Sequence, residues 1–109
     1  MKVYHLNEMV KGWFIGLFNP AVFSTAEVEV AVKSYKAGEY EPVHHHKIAT
    51  EITVIAVGSV RMMGKEYKTG SIIVQEPNDA TDFLALTDVV TSVVKIPGVP
   101  NDKYLGEPE

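Results

Sequence analysis

The chain has 109 residues, 46% of them hydrophobic and 22% charged, which predicts one globular domain with a single core. Its net charge is −4 and its basic residues are not clustered, which excludes a nucleic-acid interface and binding to anionic membranes. The absence of cysteine excludes disulfides, thiolate zinc sites and a cysteine nucleophile. Neither a signal-peptide pattern nor an apolar run of roughly 20 residues is present, so we expect a cytoplasmic protein.

Alternation of apolar and polar residues with a period of two predicts β-strands along most of the chain. VEVAVKSY (28–35) puts Glu29, Ala31 and Lys33 on one face and valines on the other. EITVIAV (51–57) is apolar on both faces, which is typical of a strand covered on both sides. The other predicted strands are WFIGLF (13–18), SIIVQ (71–75), DFLAL (82–86) and VVTSVVKI (89–96).

Turn residues separate these strands roughly every 8–12 residues, a rhythm that indicates an all-β sandwich or barrel. No segment has a sustained helical period. We expect a single domain over residues 1–109, with its core at about 12–97. The proline-containing tail, 98–109, is expected to be extended or partly disordered.

Three consecutive histidines are the most unusual feature of the sequence. In a strand, residues i and i+2 share a face, so His44 and His46 point one way and His45 points the other. Glu51 begins the next predicted strand, and a tight turn would bring its carboxylate toward the two imidazoles. Such a set of ligands suits one divalent transition ion with open coordination positions. The same run is also compatible with a solvated turn or a weak metal-collecting tract.

Flanking glycines place the histidines in a longer spaced pattern. It consists of Gly38, five residues, His44-x-His46, four residues, Glu51, six residues and Gly58. This pattern resembles the first sequence motif of the cupin superfamily. The resemblance implies an all-β fold, a cupin-type β-barrel or double-stranded β-helix (jelly-roll-like) of antiparallel strands. It also implies a metal inside the barrel, bound by the two histidines and the glutamate.

The second cupin motif is incomplete in GSIIVQEPNDATDF (70–83), because the histidine that supplies the fourth ligand is missing. Counting from Pro77 puts Asp82 at that position, whereas aligning the end of the motif on Phe83 puts Thr81 there. Only one of these neighbours can face the metal if the strand is regular. Asp82 would give a site suited to manganese or iron(II). Thr81 would leave three protein ligands, and a degenerate metal-free barrel also remains open.

Lys33 and Glu29 lie on the predicted cavity face and are candidate catalytic acid–base groups. Alternatively, they form a solvated cross-strand pair at the edge of the barrel. The expected cofactor is one divalent transition metal per chain: manganese, iron, zinc or nickel. The resemblance is compatible with isomerase, epimerase or lyase-type chemistry on a small polar metabolite, such as a sugar or an oxo-acid. It is also compatible with a non-catalytic ligand-binding or sensor protein, and with an iron(II) dioxygenase.

The expected partners are a small-molecule ligand or substrate and a second copy of the chain, with no nucleic acid and no membrane. Edge strands as apolar as WFIGLF need to be covered, which favours a homodimer.

Overall fold

The period-two pattern produces an almost entirely β structure in the computed structural model, which describes residues 1–109. One short 3₁₀-helix, Leu6–Glu8, precedes the strands. The ten strands are β1 Trp13–Ile15, β2 Glu29–Tyr35, β3 Tyr40–His45, β4 Thr50–Val57, β5 Ser59–Met62, β6 Lys65–Lys68, β7 Ile72–Gln75, β8 Thr81–Ala85, β9 Val89–Ile96 and β10 Tyr104–Leu105. The structure contains no helix that is long and apolar enough to cross a bilayer.

The strands form two five-stranded sheets, and every pairing between named strands is antiparallel. Sheet A has the order β1-β2-β9-β4-β7, and sheet B has the order β10-β3-β8-β5-β6. The hydrophobic core contains side chains from both sheets, for example Ile55 and Val89 from sheet A and Val60 and Phe83 from sheet B. The prediction of an all-β antiparallel fold is confirmed.

The space between the sheets is apolar at one end and polar at the other. On β9, Val89 belongs to the core cluster, whereas Thr91 and Lys95 line a cavity. On the neighbouring β4, Ile55 belongs to the core, whereas Thr53 lines the same cavity. Each of these two strands therefore packs one end in the apolar core and contributes polar side chains from its other part to the cavity.

A β-bulge in β3 changes which side chains face this chamber. Glu41 pairs with Phe83, and the next pair in register is His44 with Thr81. Three steps along β3 therefore match two steps along β8, which leaves one extra residue in β3. Because of that extra residue, both Glu41 and His44 line the cavity, although simple alternation would place them on opposite faces.

The strands predicted at 28–35, 51–57, 71–75, 82–86 and 89–96 are present with small shifts at their ends. The first strand is shorter than predicted, and the hairpin of β5 and β6 was not predicted. Strand β4 is not covered on both faces, because Ile52 and Val54 point away from the core and are only half-buried. The prediction of a fully covered strand is therefore wrong.

The C-terminal tail is extended, as expected, but it is an ordered part of the fold. Tyr104 and Leu105 pair with His45 and His44 of β3, so the tail adds the edge strand of sheet B. Asp102 is only 2% exposed. Its carboxylate accepts hydrogen bonds from the backbone N–H groups of the turn between β3 and β4.

Candidate metal centre

A cavity of about 670 Å³ lies between the two sheets at their polar end. Sheet A contributes Glu29, Thr53 and Lys95 to its wall, and sheet B contributes His44 and Thr81. Met62 and Phe83 of the apolar core also line it, as do residues 99–103 of the tail. The cavity is therefore a polar chamber with an apolar base, and this composition suits a small ligand with several oxygen atoms.

His44 and His46 both line this cavity, as their spacing predicts. They are 6% and 4% exposed, and their ring centroids lie 5.8 Å apart with the ring planes at 87°. The Nδ1 atom of His44 donates a hydrogen bond of 2.9 Å to the carbonyl oxygen of Pro42, because a carbonyl can only accept. Nε2 of His44 therefore carries the free lone pair that a metal ligand needs.

Burial is the main reason that the pKa of His46 is lowered to about 4, with a further contribution from the positive charge of Lys95. A histidine with this pKa is neutral at pH 7, so one of its ring nitrogens also has a free lone pair. His46 is thus prepared to bind a cation rather than to carry a charge itself.

His45 points to the other side of β3 and does not line the cavity. Its Nδ1 atom donates a 2.7 Å hydrogen bond to the carbonyl oxygen of Gly106, and its ring stacks on Tyr104 at 5.6 Å. The middle histidine therefore holds the C-terminal strand in place, while its two neighbours face the chamber.

Glu51 lies in the same cavity and is half-buried. It is flanked in register by Gln75 on β7 and Lys95 on β9. Burial raises the pKa of the Glu51 carboxyl, and the positive charge of Lys95 opposes this rise only in part. A cation in the cavity would favour the ionised carboxylate and so relieve the cost of burying it.

The donor types fit a metal ion, but the side chains are not arranged as a closed metal site. No group of three His, Cys, Asp or Glu side chains is placed so that it could hold a metal ion. The two imidazoles are neighbours, so the carboxylate of Glu51 would have to approach them when an ion binds.

Thr81, rather than Asp82, faces the cavity. Thr81 is buried, lines the chamber and pairs with His44 across β3 and β8. Asp82 points to the opposite face, where its carboxylate accepts hydrogen bonds from the Met63 N–H at 2.7 Å and the Tyr40 hydroxyl at 3.3 Å. The prediction that Asp82 supplies a fourth ligand is therefore wrong for this arrangement, because the register of β8 turns it outward.

Lys33 and Glu29 both line the cavity, as the alternation of β2 predicts, but they do not pair with each other. The Lys33 ammonium lies 3.6 Å from a carboxylate oxygen of Glu41. Glu29 is paired with Lys95 at 3.5 Å, and both of these side chains are buried. The alternative of a solvated pair at the barrel edge is wrong, since each residue has a different partner inside the chamber.

Sequence reasoning missed Lys95, Glu41 and Asp102. The alternation of β9 carried a signal for Lys95, because Thr91 and Lys95 share the face of the buried Val93. The position of Glu41 could not be predicted by alternation, because the β-bulge adds one residue to β3 between Glu41 and His44. Glu41 accepts a hydrogen bond of 3.2 Å from the Tyr35 hydroxyl, whose pKa is raised by burial and then by the charge of Glu41. Asp102 lies in the tail, far from the histidines in sequence.

Comparison with known proteins identifies the fold. No protein-family model and no curated protein matches the sequence. Among solved structures, an uncharacterized conserved protein with a double-stranded β-helix domain from Klebsiella pneumoniae subsp. pneumoniae superposes with a TM-score of 0.72. It is 18% identical, and the match covers 98% of this chain and 93% of that one. The chain has a double-stranded β-helix fold.

Two further structures extend this likeness. The DMSP lyase DddQ from Ruegeria pomeroyi has a TM-score of 0.69 at 20% identity, over 98% of this chain and 61% of that one. An RmlC-like cupin from Shewanella frigidimarina has a TM-score of 0.61 at 16% identity, over 72% of each chain. At such identities the likeness establishes the cupin-type fold, and the chemistry has to be argued from the cavity itself.

Proposed function

We propose that the chain is a metal-binding cupin that acts on a small polar metabolite, such as a sugar or an oxo-acid, by isomerase, epimerase or lyase-type chemistry. One observation carries the proposal. His44 and His46 are buried side by side in a polar cavity, and Glu51 lines the same cavity from the opposite sheet. Two imidazoles and one carboxylate are the donors that manganese, iron, zinc or nickel accepts.

A divalent ion held by these three residues would supply Lewis acidity toward a carbonyl or carboxylate oxygen of the substrate. The chain itself offers proton donors and acceptors on the facing wall. Glu29 and Lys95 form a buried pair, and Lys33 forms a partly exposed pair with Glu41, which also accepts a hydrogen bond from the Tyr35 hydroxyl. In this proposal Lys33 and Glu29 move the proton, and their partners hold them in position.

The size and polarity of the cavity support a small, oxygen-rich substrate. A volume of about 670 Å³ is within the range of ordinary small-molecule sites. Thr53, Thr81 and Thr91 add hydroxyl-bearing side chains to this wall.

Metal binding is the first test of the proposal. Chelator-stripped protein would be titrated with Mn²⁺, Fe²⁺, Zn²⁺ and Ni²⁺ under anaerobic conditions, and binding would be followed by calorimetry. We expect one ion per chain, lost in the His46→Ala variant and retained in His5→Ala, which removes an exposed histidine outside the cavity. A wild-type chain that binds none of these ions would contradict the proposal.

One observation favours a second candidate, a ligand-binding or sensor protein without catalysis. The cavity has no closed three-ligand group, and Thr81 occupies the position at which cupins supply a histidine. A metal-free barrel would bind its ligand through the paired charges and hydroxyls of the wall. Native mass spectrometry of the purified protein would detect a retained small molecule, and its persistence after chelation would favour this candidate.

A further inference from the structure

A second cavity of about 630 Å³ lies along the edge of β2. Its wall consists of residues from the N-terminal segment 5–12, of Val32 and Ser34 from β2, and of Glu39 from the loop that joins β2 to β3. None of these last three residues lines the cavity of the candidate metal centre. Ser34 and Glu39 are exposed, so the second cavity is open to solvent, and we call it the side groove.

The side groove adjoins the cavity of the candidate metal centre, because four residues line both spaces: Lys11, Lys33, Tyr35 and Glu41. Three of these side chains contact one another. The carboxylate of Glu41 lies 3.6 Å from the Lys33 ammonium and accepts a 3.2 Å hydrogen bond from the Tyr35 hydroxyl. The Lys33 ammonium also lies 5.6 Å from the centre of the Tyr35 ring. These three side chains form a polar partition between the groove and the cavity.

The partition is located where both sheets lose their edge strands. In sheet A, β1 pairs with β2 only as far as Ala31. In sheet B, β10 pairs with β3 only at His44 and His45. Residues 33–35 of β2 and 40–42 of β3 therefore have no strand on their outer side. Between these two free edges, side chains rather than backbone close the sandwich.

The contact that closes this gap is one that side-chain motion can break. Lys33 belongs to sheet A and Glu41 to sheet B, so their ion pair spans the space between the sheets. The two side chains are 21% and 27% exposed, and ion pairs that are partly in water are weak. Side chains with access to solvent also change rotamer rapidly. The partition can therefore open without movement of either strand.

We propose that the side groove is a second entrance to the cavity and that Glu41 is its gate. When Glu41 holds Lys33 and the Tyr35 hydroxyl, the entrance is closed, and when Glu41 releases them, water and small polar solutes pass. The other mouth of the cavity is bordered by the exposed residues Leu17 and Asn101, neither of which lines the side groove. The entrance is independent of the proposed metal chemistry.

Trp13 reports entry into the cavity, because it lines the cavity but not the side groove and is the only tryptophan in the chain. Quenching of its fluorescence by acrylamide, a small neutral solute, measures this entry in the full chain without metal or substrate. Glu41→Ala should raise the Stern–Volmer quenching constant, because the gate is removed. Asp82→Ala is the matched control. It also removes a carboxylate that accepts a tyrosine hydrogen bond, from Tyr40 at 3.3 Å, but on the outward face, and should leave the constant unchanged.

A blocking experiment identifies the route of entry. Because the chain has no cysteine, a single introduced thiol can be modified with a maleimide that carries a polyethylene glycol chain. In the Glu41→Ala background, modified Ser34→Cys fills the side groove and should remove the gain in quenching. Modified Leu17→Cys, at the other mouth, and modified Arg61→Cys, at an exposed position outside both cavities, should leave the gain in place.

A second variant protects the test against loss of folding. Lys33→Ala removes the other half of the ion pair and should raise the quenching constant in the same direction as Glu41→Ala. Circular dichroism and thermal unfolding would confirm that each variant is folded. Wild-type quenching in a folded Glu41→Ala or Lys33→Ala variant would overturn the proposal. A gain that persists after modification of Ser34→Cys would also overturn it, because acrylamide would then enter elsewhere.

Discussion

The carboxylate of Asp102 accepts a 2.9 Å hydrogen bond from the backbone N–H of Ala49, a residue 53 positions earlier in the chain. The N–H groups of Lys47 and Ile48 donate to the same carboxylate at 3.0 and 3.1 Å. These three residues lie in the turn that joins His46 to the strand of Glu51. The tail therefore fixes the connection between the two parts of the candidate metal centre.

Asp102→Ala is expected to destabilise the protein. It leaves three backbone donors without an acceptor, and one such unsatisfied buried group costs about 1–3 kcal/mol. Chemical denaturation would measure the loss. Asp79→Ala is a matched control, because Asp79 accepts a 2.9 Å hydrogen bond from the Glu76 N–H in an exposed turn and should lose much less. If both variants lose the same free energy of unfolding, the three hydrogen bonds of Asp102 contribute no more than the single exposed one of Asp79.

The stability that Asp102 contributes should depend on pH. Burial raises the pKa of its carboxyl, but the hydrogen bonds from Ala49, Lys47 and Ile48 outweigh this, and the pKa lies below the ordinary value of 3.8. Because the unfolded chain binds the proton more readily, the contribution is present above about pH 4 and is lost as the pH falls through the folded pKa. Unfolding curves of wild type and Asp102→Asn between about pH 2 and 6 would converge at the acid end. A difference that stays constant down to the lowest pH would contradict this assignment.

The position of Thr81 predicts where a missing ligand can be restored. Thr81→His places an imidazole on the cavity side of β8, opposite His44, and should increase the affinity for Zn²⁺ or Ni²⁺ by about tenfold or more. Asp82→His places it on the outward face and should leave the affinity unchanged. Competition with a chromogenic chelator would measure both. A stronger effect at position 82 than at 81 would show that the register of β8 is different.

The pair of Glu29 and Lys95 is expected to be sensitive to loss of one partner. Both side chains are buried and their charged atoms lie 3.5 Å apart. Lys95→Met leaves an unpaired carboxylate in the cavity wall and should lower the free energy of unfolding by about 3–5 kcal/mol. The double variant Glu29→Met/Lys95→Met removes both charges and should regain much of that stability. A double-mutant cycle of unfolding free energies would measure the coupling. Additive losses would show that the two charges are independently solvated.

Gly58, the last glycine of the spaced pattern, should not tolerate a side chain. Its φ is +100°, and an added Cβ would collide with the backbone oxygen of Asp88. Gly64 has a φ of +78°, with nothing within 4 Å of an added Cβ. Gly64→Ala should lower the free energy of unfolding by about 1–2 kcal/mol, from backbone strain alone. Gly58→Ala adds the collision with Asp88 and should lower it by about 3 kcal/mol or more. Thermal unfolding would rank the two variants, and the opposite order would contradict the argument.

The sequence by itself determined the features that depend on neighbouring residues. Alternation predicted the strands of sheet A and strand β8 of sheet B, and the spacing of His44 and His46 predicted that both rings point to the same side. It also placed Glu29 and Lys33 correctly on the cavity face. These predictions succeed because the direction of a side chain in a regular strand follows from its position in the chain.

Only the tertiary structure decided the features that depend on register and on distant segments. A single extra residue in β3 turned Glu41 into the cavity, and the pairing of β8 chose Thr81 over Asp82. Asp102 lines the cavity and accepts a hydrogen bond from Ala49, which lies 53 residues earlier in the sequence. Local patterns cannot encode these relationships, because pairing between strands is set by the packing of the whole barrel.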